Sequence, residues 1–166
     1  MLKGISPALC PELLKTIAEM GHGDEIVIGD CNFPATSLGK RVIRADGVSA
    51  TDLLDGILKL FPLDHFVEEP VMLMQVVPGT FDSEPPIWDR FRSIIRANEG
   101  EINIRFLERY EFYTKASQAF ATIQSSEQAL YACIILKKGV LLADGGILLG
   151  TNDCYKSGIP STVTTV

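Results

Sequence analysis

The sequence predicts an α/β fold, one domain built on a mixed or mainly parallel sheet flanked by helices. Three observations lead there. Amphipathic stretches at helical spacing are interleaved with short β-branched runs, the signature of helices packed on a sheet. The run "VMLMQVV" is mostly apolar with no polar alternation, as a strand covered on both faces would be. The chain has 166 residues, 46% of them hydrophobic, enough for one good core and within the usual size of one domain.

The first unit is helix, turn, strand. In "SPALCPELLKTIAEMGHG" Pro11 suits a first-turn position, Leu13, Leu14, Ile17 and Ala18 follow helical spacing, and Gly21 supplies the stop. "EIVIGD" then offers Ile26, Val27 and Ile28 for a short buried strand with Asp30 at its carboxyl end. "NFPATSLGKRVIRADG", punctuated by Pro34 and Gly39, reads as a loop leading to a short strand around residues 41–43. "SATDLLDGILKLFP" places Leu53, Leu54, Ile57, Leu58 and Phe61 on one helical face before Pro62.

"VMLMQVV", bounded by Pro70 and Pro78, is the expected centre of the sheet. "IWDRFRSIIRANEG" sets Trp88, Phe91, Ile94 and Ile95 at helical intervals and closes on Gly100. Beyond it come strand-like "INIRFLE", helix-capable "EFYTKASQA", strand-like "FATIQ", a turn at "SSEQ" and a last strand "LYACIIL" that Tyr131 opens. The domain is expected to cover residues 1–142. Residues 143–166, rich in Gly, Ser and Thr and without a period, read as a C-terminal extension.

Composition narrows the function classes. A net charge of -6 argues against a nucleic-acid partner, which needs clustered Lys and Arg to displace counterions. A membrane span needs about 20 apolar residues, and the longest candidates are broken by Lys137, Lys138 and Asp144, so no membrane partner is expected. The N-terminus carries no export signal and a cytoplasmic location is expected. Cys10, Cys31, Cys133 and Cys154 lie far apart with no metal-ligand spacing, so free thiols are expected and no metal.

The candidate residues are few. Of two histidines, His22 lies between glycines just beyond a helix end and can exchange protons near neutral pH; it reads as a general acid or base, or as a loop residue capping the last helical carbonyls. His65 reads as a surface or packing residue. Asp30 reads as a turn residue, as an acceptor of hydrogen bonds from hydroxyls, or as the group that orients His22. Asp24 beside His22 raises a metal reading that two ligands do not sustain. Arg109 in "FLERYEFY" is open to an ion pair with a neighbouring carboxylate or to holding a polyol, and Tyr131 can offer a ring and a hydroxyl. No phosphate loop, dinucleotide fingerprint or nucleophile elbow is present.

"CPELLKTIAEMGHGDEIVIGD", "NFPA", "VIRADG", "RYEFYTKASQAFA" and "ILKKGV" occur in that order, and together they resemble the fucose mutarotase and ribose pyranase family (FucU and RbsD), over residues 1 to about 141. "MGHGDEI", "IRADG" and "KKGV" place the resemblance on the fucose branch. The resemblance implies an RbsD-like fold and a cofactor-free isomerase that interconverts anomers of a free monosaccharide, L-fucose first. The alternatives are pyranose/furanose interconversion of D-ribose and a non-catalytic sugar-binding module. It further implies a ring-like homo-oligomer, a decamer being the candidate size, with sites at subunit contacts. By residue it implies His22 as proton donor and Asp30, Arg109 and the segment Tyr131, Ala132, Cys133 as substrate-binding, with "YAC" standing where the family pattern has "YGN".

Overall fold

A computed structural model describes residues 2–142. The expected extension at 143–166 lies outside the described residues. The elements run α1 (Pro11–Glu19), β1 (Glu25–Gly29), α2 (Ala35–Leu38), β2 (Val42–Ala45), α3 (Ala50–Leu58), β3 (Val71–Met74), α4 (Pro86–Glu99), β4 (Ile104–Leu107), α5 (Arg109–Gln118), β5 (Ala121–Ser125) and β6 (Ile134–Lys137). They form one sheet of strand order β2-β5-β1-β6-β3-β4.

The sheet is mixed. β1 and β2 pair parallel with β5, and β3 with β4, whereas β6 runs antiparallel to both β1 and β3. Five strands therefore point one way, and the reversed β6 lies between β1 and β3. "VMLMQVV" is an interior strand as expected, but not the centre: β1 and β6 occupy the middle, and β3 is next to the edge strand β4. Pairing of the last strand with the first is a tertiary choice that local pattern does not carry.

Strand alternation divides the apolar side chains between two layers. Ile26, Ile28, Val71, Leu73, Ile134 and Leu136 face a core filled by Leu13 and Ile17 of α1, Leu53, Leu54 and Ile57 of α3, and Trp88, Phe91 and Ile95 of α4. Val27, Met72, Met74 and Ile135 face the other side, where Ala35 of α2 and Phe112 and Ala116 of α5 cover them. Full burial of a side chain such as Phe91 contributes about 1.5–3 kcal/mol, so the interleaved pattern is itself the chief stabilising feature.

Local signals set the helix ends. Pro11 begins α1, and the Ser49 hydroxyl caps α3 by accepting from the Asp52 N–H at 3.1 Å. Gly100 ends α4 at φ 79°, a conformation costly for a residue with a Cβ. One turn of helix, α2, sits inside the expected loop between Pro34 and Gly39. Four residues are too few to show a helical period.

Candidate active site

Strands that point one way bring their carboxyl ends to one edge of the sheet, where ligands of open α/β sheets collect. Asp30 follows β1, Met74 ends β3, Arg109 opens α5 just after β4, and Tyr131 and Cys133 precede the reversed β6. With Asn32, Phe33, Thr80, Tyr113 and Leu130 these residues line a cavity of about 200 Å³. Asp30, Arg109, Tyr131 and Cys133 are thus brought together from three different connections.

Asp30 is buried, and its carboxylate is held on several sides. Oδ1 accepts from the Asn32 N–H at 2.9 Å, and Oδ2 accepts from the Cys133 thiol at 3.4 Å. Burial pushes the Asp30 carboxyl above the ordinary aspartate range, opposed by these hydrogen bonds and by the backbone N–H groups of Phe33 and Ala132. Burial, reinforced by the Asp30 charge, holds the Cys133 thiol well above its usual range, so it stays a neutral donor. Ala132 is fully buried, and it reaches the carboxylate through its backbone N–H.

Tyr131 does not open the last strand. It stands three residues before Ile134 in the left-handed region at φ 60°, a conformation that costs a non-glycine residue roughly 1–2 kcal/mol. Its surroundings hold it there. Its carbonyl accepts from Trp88 Nε1 at 3.0 Å, and its hydroxyl accepts from the Val77 N–H at 3.2 Å and lies 3.4 Å from Thr80 Oγ1. Phe81 packs edge-on against the ring, so Tyr131 fixes the turn that carries Thr80 to the cavity.

Arg109 does not take the expected carboxylate partner. Its Nη2 donates to the Tyr110 hydroxyl at 3.0 Å and its guanidinium lies over that ring, while Glu108 caps α5 by accepting from the Tyr110 and Glu111 N–H groups. The arginine keeps further donors for the cavity. Asn32 and Thr80 were not singled out from the sequence, and Tyr113 of "FLERYEFY" was given no role of its own. Tyr113, one helical turn after Arg109, carries a spacing signal that could have found it.

His22 is elsewhere. It precedes β1 whereas Asp30 follows it, and the five residues of the strand alone span about 16 Å. Within one chain, then, Asp30 does not orient His22. The imidazole lies in a separate groove of about 480 Å³ with Leu14, Ile17, Leu60, Pro62 and Lys138. It does not cap α1 either. That role belongs to Lys138, whose Nζ donates to the carbonyls of Ile17 and Met20.

The turn bearing His22 is firmly held. Asp24 Oδ2 accepts from the Gly21 N–H at 2.7 Å, so Asp24 is a turn residue, and the Gly23 N–H donates to the Lys138 carbonyl at 2.8 Å. His22 Nε2 lies 3.2 Å from Oδ1 of Asp64, a carboxylate only 4% exposed. His65 is a packing residue whose Nε2 lies 3.3 Å from buried Glu99. Among the described residues no three His, Cys, Asp or Glu side chains gather into a metal-holding group, and no helix is long and apolar enough to cross a membrane.

The model of the RbsD / FucU transport protein family matches residues 3–141. The chain belongs to that family. An L-fucose mutarotase of Haemophilus influenzae (strain PittGG) is 54% identical over 142 residues, covering 84% of this chain and 97% of the relative. A fucose mutarotase of Mus musculus is 47% identical over 145 residues, covering 84% and 95%. The crystal structure of the fucose mutarotase from Streptococcus pneumoniae in complex with L-fucose superposes with a TM-score of 0.81 at 45% identity, covering 85% of this chain and all of that one. The RbsD/FucU match accounts for the mixed six-stranded sheet and for nearly every described residue.

Proposed function

We propose that this chain is a cytoplasmic mutarotase that interconverts the α and β anomers of a free monosaccharide, L-fucose first, without a cofactor. The observation that carries the reading is the cavity at the strand carboxyl ends, where a buried carboxylate, a guanidinium, an amide and hydroxyls converge as a polyol requires. The names of its relatives support the same sugar.

Anomer exchange needs the sugar ring to open and close. A proton is delivered to the ring oxygen, the bond from that oxygen to C1 breaks, the anomeric hydroxyl loses its proton to an acceptor such as water, and the open aldehyde forms. Closure on the other face runs these transfers backwards. His22 is the proton donor of this reading, and Asp30, Arg109 and the Tyr131 to Cys133 segment hold the hydroxyls. Since donor and cavity lie at opposite ends of β1, the working site is composite. His22 of one copy meets the cavity of a neighbouring copy in a ring-like homo-oligomer, of which the decamer is the candidate size.

Saturation-transfer NMR on a panel containing L-fucose and D-ribose tests the reading: accelerated α/β exchange of L-fucose is expected. Binding with no faster exchange of any aldose would leave a non-catalytic sugar-binding protein, and pyranose/furanose exchange of D-ribose alone would move the chain to the ribose branch.

Asp30→Asn separates binding from stability. Loss of the charged acceptor is expected to weaken L-fucose binding about tenfold or more, the equivalent of a charge-assisted hydrogen bond of roughly 1.5–3 kcal/mol. The stability effect has the opposite sign. Because burial raises the carboxyl in the folded state, its stabilising contribution is fully present below the unfolded value near 3.8 and is lost as pH rises through the raised folded value. The variant is therefore expected to show a flatter decline of thermal stability with rising pH over that window, measured by calorimetry alongside the wild type. An equal decline in both would sink the assignment.

A further inference from the structure

We propose that Trp88 is a positioning residue for sugar binding: its indole N–H holds Tyr131 in the left-handed conformation, and that one backbone state sets the wall formed by Tyr131, Ala132 and Cys133. The proposal rests on the mutarotase reading and adds to it the residue that shapes the site from behind.

The two sides of the cavity are held by different means. The Asp30 side stands on β5, where Gln124 Nε2 donates to the Asp30 carbonyl and Ser125 Oγ donates to the Gly29 carbonyl at 2.6 Å. The opposite side precedes β6, whose ladder pairing begins only at Ile134. Its backbone depends on Tyr131. Among the described residues Trp88 Nε1, at 3.0 Å, is the only donor to the Tyr131 carbonyl. A tyrosine at φ 60° persists where the surrounding structure over-determines it, and this hydrogen bond comes from the helix behind the cavity.

Trp88 is a fixed donor. It lies in the first turn of α4, its own N–H donates to the Pro85 carbonyl at 3.0 Å, and its side chain is buried with the Phe106 ring packed against it at 5.0 Å between centroids. The indole does not line the cavity, so it acts on a sugar only through Tyr131. Three contacts follow from the turn it holds. The Tyr131 hydroxyl accepts from the Val77 N–H, the Ala132 N–H reaches the Asp30 carboxylate, and the Cys133 thiol donates to Asp30 Oδ2. Were residue 131 to return to the right-handed or extended region that a tyrosine prefers, the peptide carrying the Ala132 N–H would rotate and these contacts would part together. A core aromatic that only filled space would have no such reach.

The test combines L-fucose exchange kinetics with NMR of the indole, on the full chain. The sequence has one tryptophan, so its indole N–H gives a single signal. In wild-type protein that signal is expected to exchange slowly with solvent and to shift as L-fucose fills the cavity. Trp88→Phe keeps an aromatic filler and deletes the donor. It is expected to raise KM for L-fucose exchange about fivefold or more with kcat changed less than about threefold, because contacts that hold hydroxyls act on ground and transition state alike. Asparagine tolerates the left-handed region, so in a Tyr131→Asn background the same Trp88→Phe change should alter KM less than about twofold. A packing role alone would lower thermal stability in both backgrounds and leave KM unmoved. Wild-type KM in a folded Trp88→Phe, or the same rise in KM in both backgrounds, overturns the proposal. If Trp88→Phe does not fold, the wild-type indole decides: a shift with L-fucose supports the proposal, and a signal that neither L-fucose nor D-ribose moves overturns it. With no exchange in the wild-type chain itself the mutarotase reading falls, and the same indole shift then supports or overturns the hold of Trp88 on the cavity.

Discussion

His22→Ala is expected to lower the rate of anomer exchange about 10²- to 10⁴-fold, the usual loss when a general acid is removed, while folding and assembly persist. Persistence follows from how the turn is built. Its hydrogen bonds run through the backbone of Gly21, Gly23 and Lys138 and the side chain of Asp24, and the imidazole takes no part in them. What the variant leaves behind is the Asp64 carboxylate without its imidazole, but the Phe66 N–H still donates to it and the vacated side is open to water. The destabilisation is therefore small beside the catalytic loss. The check is saturation-transfer NMR on L-fucose together with sedimentation and thermal unfolding of the same sample. Wild-type exchange in a folded variant would remove His22 from the mechanism.

The elements that the sequence announced are those whose evidence is local. α1 was legible because Pro11 begins it and Leu13 and Ile17 repeat at helical spacing, and β3 because a strand covered on both faces has no polar alternation to show. The reversal of β6 and its place between β1 and β3 depend on pairings across the chain, and the left-handed Tyr131 depends on Trp88 and the turn at residues 77–81. For the site, proximity in sequence misled. His22 and Asp30 stand close in the chain, yet an extended strand carries them to opposite edges of the sheet. The partner that His22 does find, Asp64, is 42 residues away with no periodic or motif signal to announce it. Resemblance of motifs supplied the candidate residues, and the sheet supplied their division into two groups.

That division leads to the largest qualitative effect. His22→Ala, nearly inactive alone, and Asp30→Asn, left with about a tenth or less of the wild-type rate at sub-saturating L-fucose, are expected to regain activity when their subunits are mixed and assayed at that concentration. If the acid of one copy serves the cavity of its neighbour, a contact at which the first copy has His22 and the second has Asp30 is complete. In an equal random mixture about a quarter of such contacts meet both conditions, so exchange should recover to about a quarter of the wild-type rate per subunit. The two variants are unfolded together, refolded as a mixture, and compared with each variant refolded alone. A site contained within one chain predicts no recovery at any mixing ratio, because every subunit then carries one defect. The outcome turns on β1: five residues of strand stand between the two halves of the site, and no local adjustment of the turn at His22 closes a gap of about 16 Å.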